Sequence, residues 1–420
     1  MPTPSTAVAR GPFRALLVAH AVSLTGNMLT LIALPLYVLA ETGSAAATGL
    51  TGAVATAPVV LGGTFGGVLV DRAGYRRTSV VGDLVSGVTI AAVPVLDRTV
   101  GLPFWGLLAL VFVSGLLDAP GQTARSAMLP EAAAGAGASL ERAVGLFDAT
   151  ERGARLLGAP VAGALVAALG PLTVLAVDAA TFAVSAGVLL AHVPARLSTP
   201  EPDAAAGRGY WRELAEGVRF LAGEPLLRAV VLLLLATNLF DAAKSTVLLP
   251  VVAQRELGGA VALGVLVGTM GGGALAGSLV FGAVGHRLPR RATFVTAFAL
   301  AGPPPLLALA VGSPLPVLVG VTAVAGFAAG ALNPIIGLVK LERVPAGLRA
   351  RVYGVVGAGA WAAMPLGALT AGYAADRLGT GPALAGFGIA YLLVALVPLG
   401  GGPWRQMGGS ARLVVPAGSG

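Results

Sequence analysis

The chain has 420 residues, of which 56% are apolar and only 11% charged. A soluble domain carries about 25% charged and 45–50% apolar residues. A globule of this size cannot hide so much apolar surface from water, which excludes a soluble enzyme, a disordered chain and a nucleic-acid binder. The chain reads as an integral membrane protein, and its 61 glycines and 29 prolines fit, because both residues are enriched in transmembrane helices. Cysteine is absent, so disulfides, thiolate nucleophiles and zinc–thiolate sites are excluded. The three histidines, His20, His192 and His286, are not spaced as metal ligands on one helix face. No G-x-x-x-x-G-K-[ST] loop occurs, which leaves an ion gradient or the substrate's own gradient to supply energy. No cofactor and no enzymatic activity are expected.

Twelve apolar segments are long enough for a hydrocarbon core of about 30 Å. They run approximately over 13–39, 46–70, 76–96, 103–127, 142–168, 172–193, 226–252, 261–285, 291–311, 315–338, 350–374 and 381–399. The first is too long for the 7–15-residue apolar region of a signal peptide. With the N-terminus inside, 20 of the 27 Lys and Arg fall in cytoplasmic segments, and only Arg98, Arg255 and Arg377 fall outside. This positive-inside bias puts both termini in the cytoplasm. It also accounts for the +8 charge without nucleic acid, as topology and attraction to anionic lipid. The longest connection, 194–225, separates a bundle of six spans at 1–193 from a second at 226–420. Within it Trp211, Leu214, Val218 and Leu221 share one helical face, and Arg212, Glu216 and Arg219 the other. The pattern predicts an amphipathic helix in the headgroup plane.

The two halves repeat. A shift of 215 pairs Pro35 with Pro250, Glu41 with Glu256, Gly43 with Gly258, Gly49 with Gly264, Gly62 with Gly277, Gly67 with Gly282 and Arg72 with Arg287. A shift of 209 pairs Arg142 with Arg351, Gly145 with Gly354, Gly163 with Gly372 and Leu169-Gly170 with Leu378-Gly379. Parallel repeats of this kind relate the halves about an axis along the membrane normal, an arrangement known for the major facilitator fold. The loop after the second span, Gly67-Val-Leu-Val-Asp71-Arg72-Ala-Gly74-Tyr-Arg76-Arg77, resembles that superfamily's G-x-L-x-D-R-x-G-R-[KR]-[KR] motif. A degenerate copy, Gly282-Ala-Val-Gly-His286-Arg287-Leu-Pro-Arg290-Arg291, has histidine in place of the aspartate. Gly67, Asp71, Arg72, Gly74, Arg76 and Arg77 are the gating-loop candidates.

Further stretches resemble the enterobactin-exporter and macrolide-efflux branch: Glu41-Thr-Gly-Ser44, Leu156-Leu-Gly-Ala-Pro160-Val-Ala-Gly163 and Asp178-Ala-Ala-Thr-Phe182. That resemblance implies twelve transmembrane helices as two six-helix repeats, and efflux of small amphipathic molecules by alternating access, usually against protons. The antiporter pattern G-P-x-x-G-G reads here Ala159-Pro160-Val-Ala-Gly163-Ala164, and the acid often found in the first span is Asn27. Low lysine and abundant alanine, glycine and arginine point to a GC-rich bacterial genome, hence a bacterial plasma membrane.

Ionisable side chains inside spans need a partner or a function. The fifth span carries Asp148, Glu151, Arg152 and Arg155, spaced for i,i+4 pairs Asp148–Arg152 and Glu151–Arg155. Glu151 lies about 14 Å in from Arg142. Asn238, Asp241 and Lys244 share a face of the seventh span, and the repeat sets Asp241 beside Gly26-Asn27. Asp241, Glu151 and Asp118 are therefore the proton-coupling candidates, with Lys244, Arg152 and Arg155 as counter-charges and Asn27, Asn238 and Asn333 as candidate cavity lining. Asp83 and Arg125 read as gate structure near the Asp71 loop, and Asp178 as scaffold. Gly63/Gly67, Gly268/Gly272 and Gly326/Gly330 read as helix-packing surfaces. The expected activity is a monomeric secondary exporter of a small amphipathic compound in exchange for protons. An uptake permease or lipid flippase of the same fold, and a non-transporting membrane sensor, remain open on the residues alone.

Overall fold

The structure, a computed structural model, describes the backbone of residues 10–194 and 210–407, with side chains except at 10, 59, 62–73, 210, 211, 213, 346 and 350. It is helical, with no strand among the described residues. The first half contains α1 (Arg10–Thr42), α2 (Ala45–Ala73), α3 (Tyr75–Thr99), α4 (Phe104–Gly135), α5 (Leu140–Leu169) and α6 (Pro171–His192). The short α7 (Tyr210–Gly223) follows. The second half contains α8 (Pro225–Ala243), α9 (Leu249–Glu256), α10 (Ala260–Val284), α11 (Arg290–Ala301), α12 (Pro303–Ala310), α13 (Leu315–Ala329), α14 (Leu332–Arg343), α15 (Arg349–Trp361), α16 (Met364–Leu378) and α17 (Thr380–Leu396). Among the described residues, 11 helical stretches are long and apolar enough to cross a membrane, so this is a multi-pass membrane protein. The expected second span is also helical, over the 29 residues of α2.

Four of the membrane-length runs in the second half are segmented. A π-helical turn, Lys244–Leu248, joins α8 to α9; such turns interrupt α-helices mostly at functional positions. Three consecutive prolines after Gly302 separate α11 from α12, because proline supplies no N–H to the preceding turn. Short breaks at Gly330-Ala331 and Ala362-Ala363 divide α13 from α14 and α15 from α16. The connections Gly43, Gly170, Gly258 and Gly379 lie together in the repeat and share a positive φ of 65°, 80°, 87° and 90°, where a Cβ is strained. They mark one end of the molecule, the turn end. The arginine-rich connections before α3, α11 and α15 mark the other, the basic end.

Within the first half α1 packs on α5 and α6, α3 on α4 and α6, and α2 on α4. Within the second, α10 packs on α13, α12 on α17 and α8 on α16. The halves meet chiefly through α5 against α10 and α2 against α16, which the repeat makes two copies of one contact. At its centre sit the four glycines that the shifts pair. A Cβ on Gly163 would lie 2.5 Å from the Ala260 carbonyl oxygen, and one on Gly264 2.6 Å from that of Ala159. Across the other crossing, Gly49 would meet the Ala368 carbonyl and Gly372 that of Ala45, both at 2.5 Å. Backbone therefore touches backbone at both crossings, near the turn end. Gly268 and Gly272 extend the α5–α10 contact against Pro160 and Leu156, and Gly326 and Gly330 seat α13 on α10. These two expected packing surfaces are thus helix contacts; Gly63 and Gly67 lie outside the described side chains.

The amphipathic α7 docks on protein. Its Glu216 Oε2 pairs with Arg351 Nη1 at 2.6 Å, and Gly217 lies against the Arg351 carbonyl. Of the face expected in the headgroup plane, Val218 is exposed while Leu214 and Leu221 are half-buried, because the helix turns its small Gly217 toward α15. Trp211 is outside the described side chains.

The crossings predict a sharp contrast between glycines. Gly163→Leu should destabilise the folded protein by about 1–3 kcal/mol through overpacking, read as a lower melting temperature in detergent. Gly320→Ala, where a Cβ meets nothing within 4 Å, should leave it unchanged or slightly higher.

Candidate transport site

Toward the basic end α5 and α10 part. The last seated contacts are Leu156 and Arg155 against Gly271. Beyond them lies a polar vestibule of about 290 Å³ lined by Asp148, Glu151, Arg152, Arg155, Gly271, Ala274 and Asn333. The expected Glu151–Arg155 pair forms, at 2.7 Å. The expected Asp148–Arg152 pair does not form among the described residues; both side chains are exposed, where a charge keeps its solvation without an ionic partner. Asn333 borders this space from α14.

In the second half the Asp241 carboxylate is held from two sides. Lys244 Nζ donates to Oδ1 and the Tyr391 hydroxyl to Oδ2, both at 3.0 Å. Lys244 starts the π-helical turn, which brings it three residues on from Asp241 onto the same carboxylate. The Tyr391 ring lies over Gly302, the residue before the proline run, and stacks on Phe240 at 5.2 Å. The Asp241 side chain remains 42% exposed while Lys244 is 12% exposed, so the acid is the open partner and the amine the enclosed one. There Lys244 borders an apolar cavity of about 130 Å³ lined by Leu249, Leu266, Met270, Leu309 and Leu318. Asn238 Nδ2 donates to the Ala360 carbonyl at 2.9 Å, tying α8 to α15.

The first half buries its charges around α1. Arg125 and Asp83 pair at 2.8 Å with 0% and 1% exposure. Ser185 donates to Asp83 at 2.6 Å, and Arg125 donates to Ser23 at 3.1 Å and Ser79 at 3.3 Å. The pair expected at a gate is thus enclosed among α1, α3, α4 and α6. His20, stacked on Phe147 at 3.7 Å, has neither ring nitrogen bonded. Asp118 Oδ2 accepts from Asn27 at 3.1 Å and Gln122 at 2.7 Å, while its buried Oδ1 has no partner. Asn27 therefore serves Asp118. Asp178 accepts from the Thr30 and Thr181 hydroxyls and presses against Gly26, where no side chain would fit. Among the described residues neither Asp118 nor Asp178 has a cation partner.

Of the loop motif, Gly67, Asp71 and Arg72 lie outside the described side chains. Gly74 turns at φ 84°, Arg77 is exposed, and Arg76 donates to the Leu190 carbonyl at 2.7 Å. Its repeat counterpart Arg291 donates to the Pro398 carbonyl at 2.8 Å and to that of Leu399 at 2.6 Å. Each arginine thus binds the carbonyls ending the last span of its own half, where the helix dipole favours a cation. His286 is exposed and accepts from Arg287 at 3.2 Å.

One polar contact was not anticipated. Asp376 of α16 caps the N-terminus of α2 from the opposite half. Its Oδ1 accepts from the Ala45 N–H at 3.0 Å, and its Oδ2 from the Ala46 N–H at 2.8 Å and the Ser44 hydroxyl at 2.7 Å. Arg255 Nη2 adds a bond to the Gly43 carbonyl at 2.9 Å. A carboxylate at a helix N-terminus satisfies orphan N–H groups and the dipole together. The repeat puts Ala167 where Asp376 stands, so this latch exists at one crossing only. Ser44 before an apolar run is a capping signal; its partner 332 residues away leaves none.

Two substitutions check these assignments. Arg125→Leu strands a buried carboxylate and should cost about 3–5 kcal/mol, whereas Asp83→Leu with Arg125→Leu should recover most of the melting temperature. Asp376→Ala should expose the turn-end crossing, measured as severalfold faster maleimide labelling of Ala368→Cys, which faces Gly49.

Residues 3–400 match the family described as transmembrane secretion effector. The multidrug efflux pump Tap of Mycolicibacterium fortuitum is 32% identical over 397 residues, covering 92% of this chain and 95% of that one. Tap of Mycobacterium tuberculosis is 32% identical over 373 residues, 88% of each chain. Among solved structures, the nucleoside transporter NupG superposes with a TM-score of 0.70 at 12% identity, covering 94% of this chain and 98% of that one. A POT family transporter in complex with a thioalcohol-conjugated peptide also gives 0.70 at 12%, covering 92% and 95%. The two parallel halves, their glycine crossings and the polar space between them agree with this likeness of fold, and the chain belongs to the transmembrane secretion effector family of the major facilitator superfamily.

Proposed function

We propose that the protein exports small amphipathic compounds, drugs or drug-like metabolites, from a bacterial cytoplasm by alternating access in exchange for protons. The observation that carries this reading is the state of the seam: closed backbone to backbone at the turn end, open at the basic end onto a charged vestibule. Similarity to multidrug efflux pumps over about nine-tenths of the chain supports the direction of transport. In this reading twelve helices span the plasma membrane as bundles 1–193 and 226–420, joined by 194–225, and the protein acts as a monomer. The positive-inside rule makes the basic end cytoplasmic, with both termini, so the structure is inward-open. Gly67, Asp71, Arg72, Gly74, Arg76 and Arg77 form the inner gating loop.

Substrate enters through the vestibule, between the Glu151–Arg155 and Asp241–Lys244 pairs. A mixed-charge lining beside an apolar pocket suits an amphiphile: the hydrocarbon part displaces water while the polar part exchanges one ionic partner for another. Proton coupling is assigned to Asp241, Glu151 and Asp118. Lys244 and Arg155 hold the first two when ionised, with Arg152 as a further counter-charge; Asp118 has only the amides of Asn27 and Gln122. Asn238 and Asn333 complete the lining.

Expression in an efflux-deficient host, with a drug panel and the dye ethidium, tests the function. Lower accumulation that a protonophore abolishes is expected; raised accumulation would establish uptake instead, and no change for any compound would remove the exporter reading. A permanently neutral amide cannot load and release a proton. Asp241→Asn or Glu151→Gln should therefore abolish gradient-driven accumulation in proteoliposomes while substrate counterflow survives. If both variants stay fully coupled and Asp118→Asn does not, Asp118 is the carrier.

A further inference from the structure

Of the 27 basic side chains only Lys244 and Lys340 are lysines. Lys244 is held by Asp241; Lys340, on α14, is held by no acid among the described residues. The arginines at the corner between α14 and α15 all have oxygen partners. Arg343 donates to Glu224 at 3.1 Å and to the Gln406 side chain at 3.0 Å. Arg349 donates to the Val344 and Leu341 carbonyls, both at 3.4 Å, and Arg351 to Glu216 at 2.6 Å. Glu342, next but one to Lys340, is taken by Arg290 at 2.7 Å. Lys340 instead lies over the Tyr353 ring of α15, 4.9 Å from Nζ to the ring centre. The Tyr353 hydroxyl is itself buried and has no hydrogen-bond partner among the described residues. A ring face offsets part of the cost of enclosing an ammonium. Its N–H groups and the hydroxyl are nevertheless donors, and an enclosed donor without a partner costs stability. What the corner lacks is an acceptor.

The vestibule leads to this corner. Asn333, Gly337 and Lys340 follow at i, i+4 and i+7 along α14, one face of the helix. Asn333 borders the vestibule, and Lys340 lies about 10 Å further toward the basic end. Gly337 between them is bare: a Cβ there would meet nothing within 4 Å, and the same holds for Gly354 and Gly357 of α15. The strip from Asn333 to Lys340 therefore stays open. The charges of the vestibule lining, Asp148, Glu151, Arg152 and Arg155, cancel in sum, as do Asp241 and Lys244. Among the described residues Lys340 is the charge on this strip that no acid cancels.

We propose that Lys340 and Tyr353 form an anion subsite at the basic end, which takes the carboxylate or phosphate group of the transported compound. This rests on the exporter reading and deepens it: the compounds are amphiphiles that carry an acidic group, alone or beside a cationic one. One oxygen of the group accepts from Lys340 Nζ and another from the Tyr353 hydroxyl, both strengthened by the anion's charge. The apolar part lies along the bare strip toward Asn333. An analogue without the acidic group leaves both donors unpaired and loses that contribution.

Dansylglycine and dansylamide are one fluorescent amphiphile with and without a carboxylate, and their binding to the full chain in phosphatidylcholine nanodiscs reads the subsite directly. The unsubstituted protein should bind dansylglycine at least about tenfold more tightly, as charge-assisted bonds imply. Lys340→Gln should bring the two dyes level, Tyr353→Phe should narrow the gap, and Lys340→Arg should keep most of it. No preference in the unsubstituted protein, or a preference that survives Lys340→Gln, would overturn the proposal. So would equal weakening of both dyes by Lys340→Gln, the mark of a purely structural role. Loss of the preference when phosphatidylglycerol replaces phosphatidylcholine would give the subsite to a lipid phosphate. Displacement of dansylglycine by inorganic phosphate at comparable concentration would give it to a free anion, and either result overturns the assignment to the transported compound. The exporter reading fails separately, when the unsubstituted protein leaves ethidium and drug accumulation unchanged in the efflux-deficient host.

Discussion

Everything in this molecule is arranged around the approach of one helix backbone to another at Gly163–Gly264 and Gly49–Gly372. Lipid chains are as apolar as leucine, so burial gives no net drive for two membrane helices to associate. What holds the halves together is close van der Waals contact, and that requires residues without side chains where the helices cross. A contact of this kind is tight yet carries no interlocking side chains. In the transport cycle proposed above, two bundles separate at a glycine crossing without repacking their interiors.

The polar latch at the turn end complements that geometry. Asp376 satisfies N–H groups at the start of α2 that have no partner within their own helix, from an exposed position beside the crossing. It is specific to one of two otherwise equivalent crossings. At the seam this carboxylate makes the two crossings unequal.

Charge is distributed between the halves in two different ways. In the first, Asp83 and Arg125 are buried together with three serine hydroxyls around them, a network that packs α1 against α3, α4 and α6. Asp118 and Asp178 are bound by neutral donors alone. Along the vestibule Glu151, and in the second half Asp241, are paired with cations and partly exposed. The difference follows water: a charge facing the open space keeps its solvation and tolerates a loose partner, whereas one enclosed by helices must be fully satisfied. The π-helical turn at Lys244 and the proline run beneath Tyr391 are local irregularities that place side chains on Asp241.

The sequence by itself determined the apolar segments, the repeat and the family. Each expected segment is helical over almost its whole length, because apolar run length is dictated by the bilayer and not by neighbouring helices. Gly163, Gly264, Gly49 and Gly372 were already paired by the repeat, and the Glu151–Arg155 pair followed from helical spacing. The tertiary structure alone decided that those glycines meet each other, that Asp376 caps a helix more than three hundred residues away, and that Tyr391 completes the Asp241 site. It also left Asp148 and Arg152 apart, enclosed Asp83 with Arg125, and docked α7 on α15. Periodicity reports what a residue can face along its own helix, within a turn or two. Contacts between distant helices depend on how the bundles are assembled and on where water enters between them, and no local pattern in the chain encodes either.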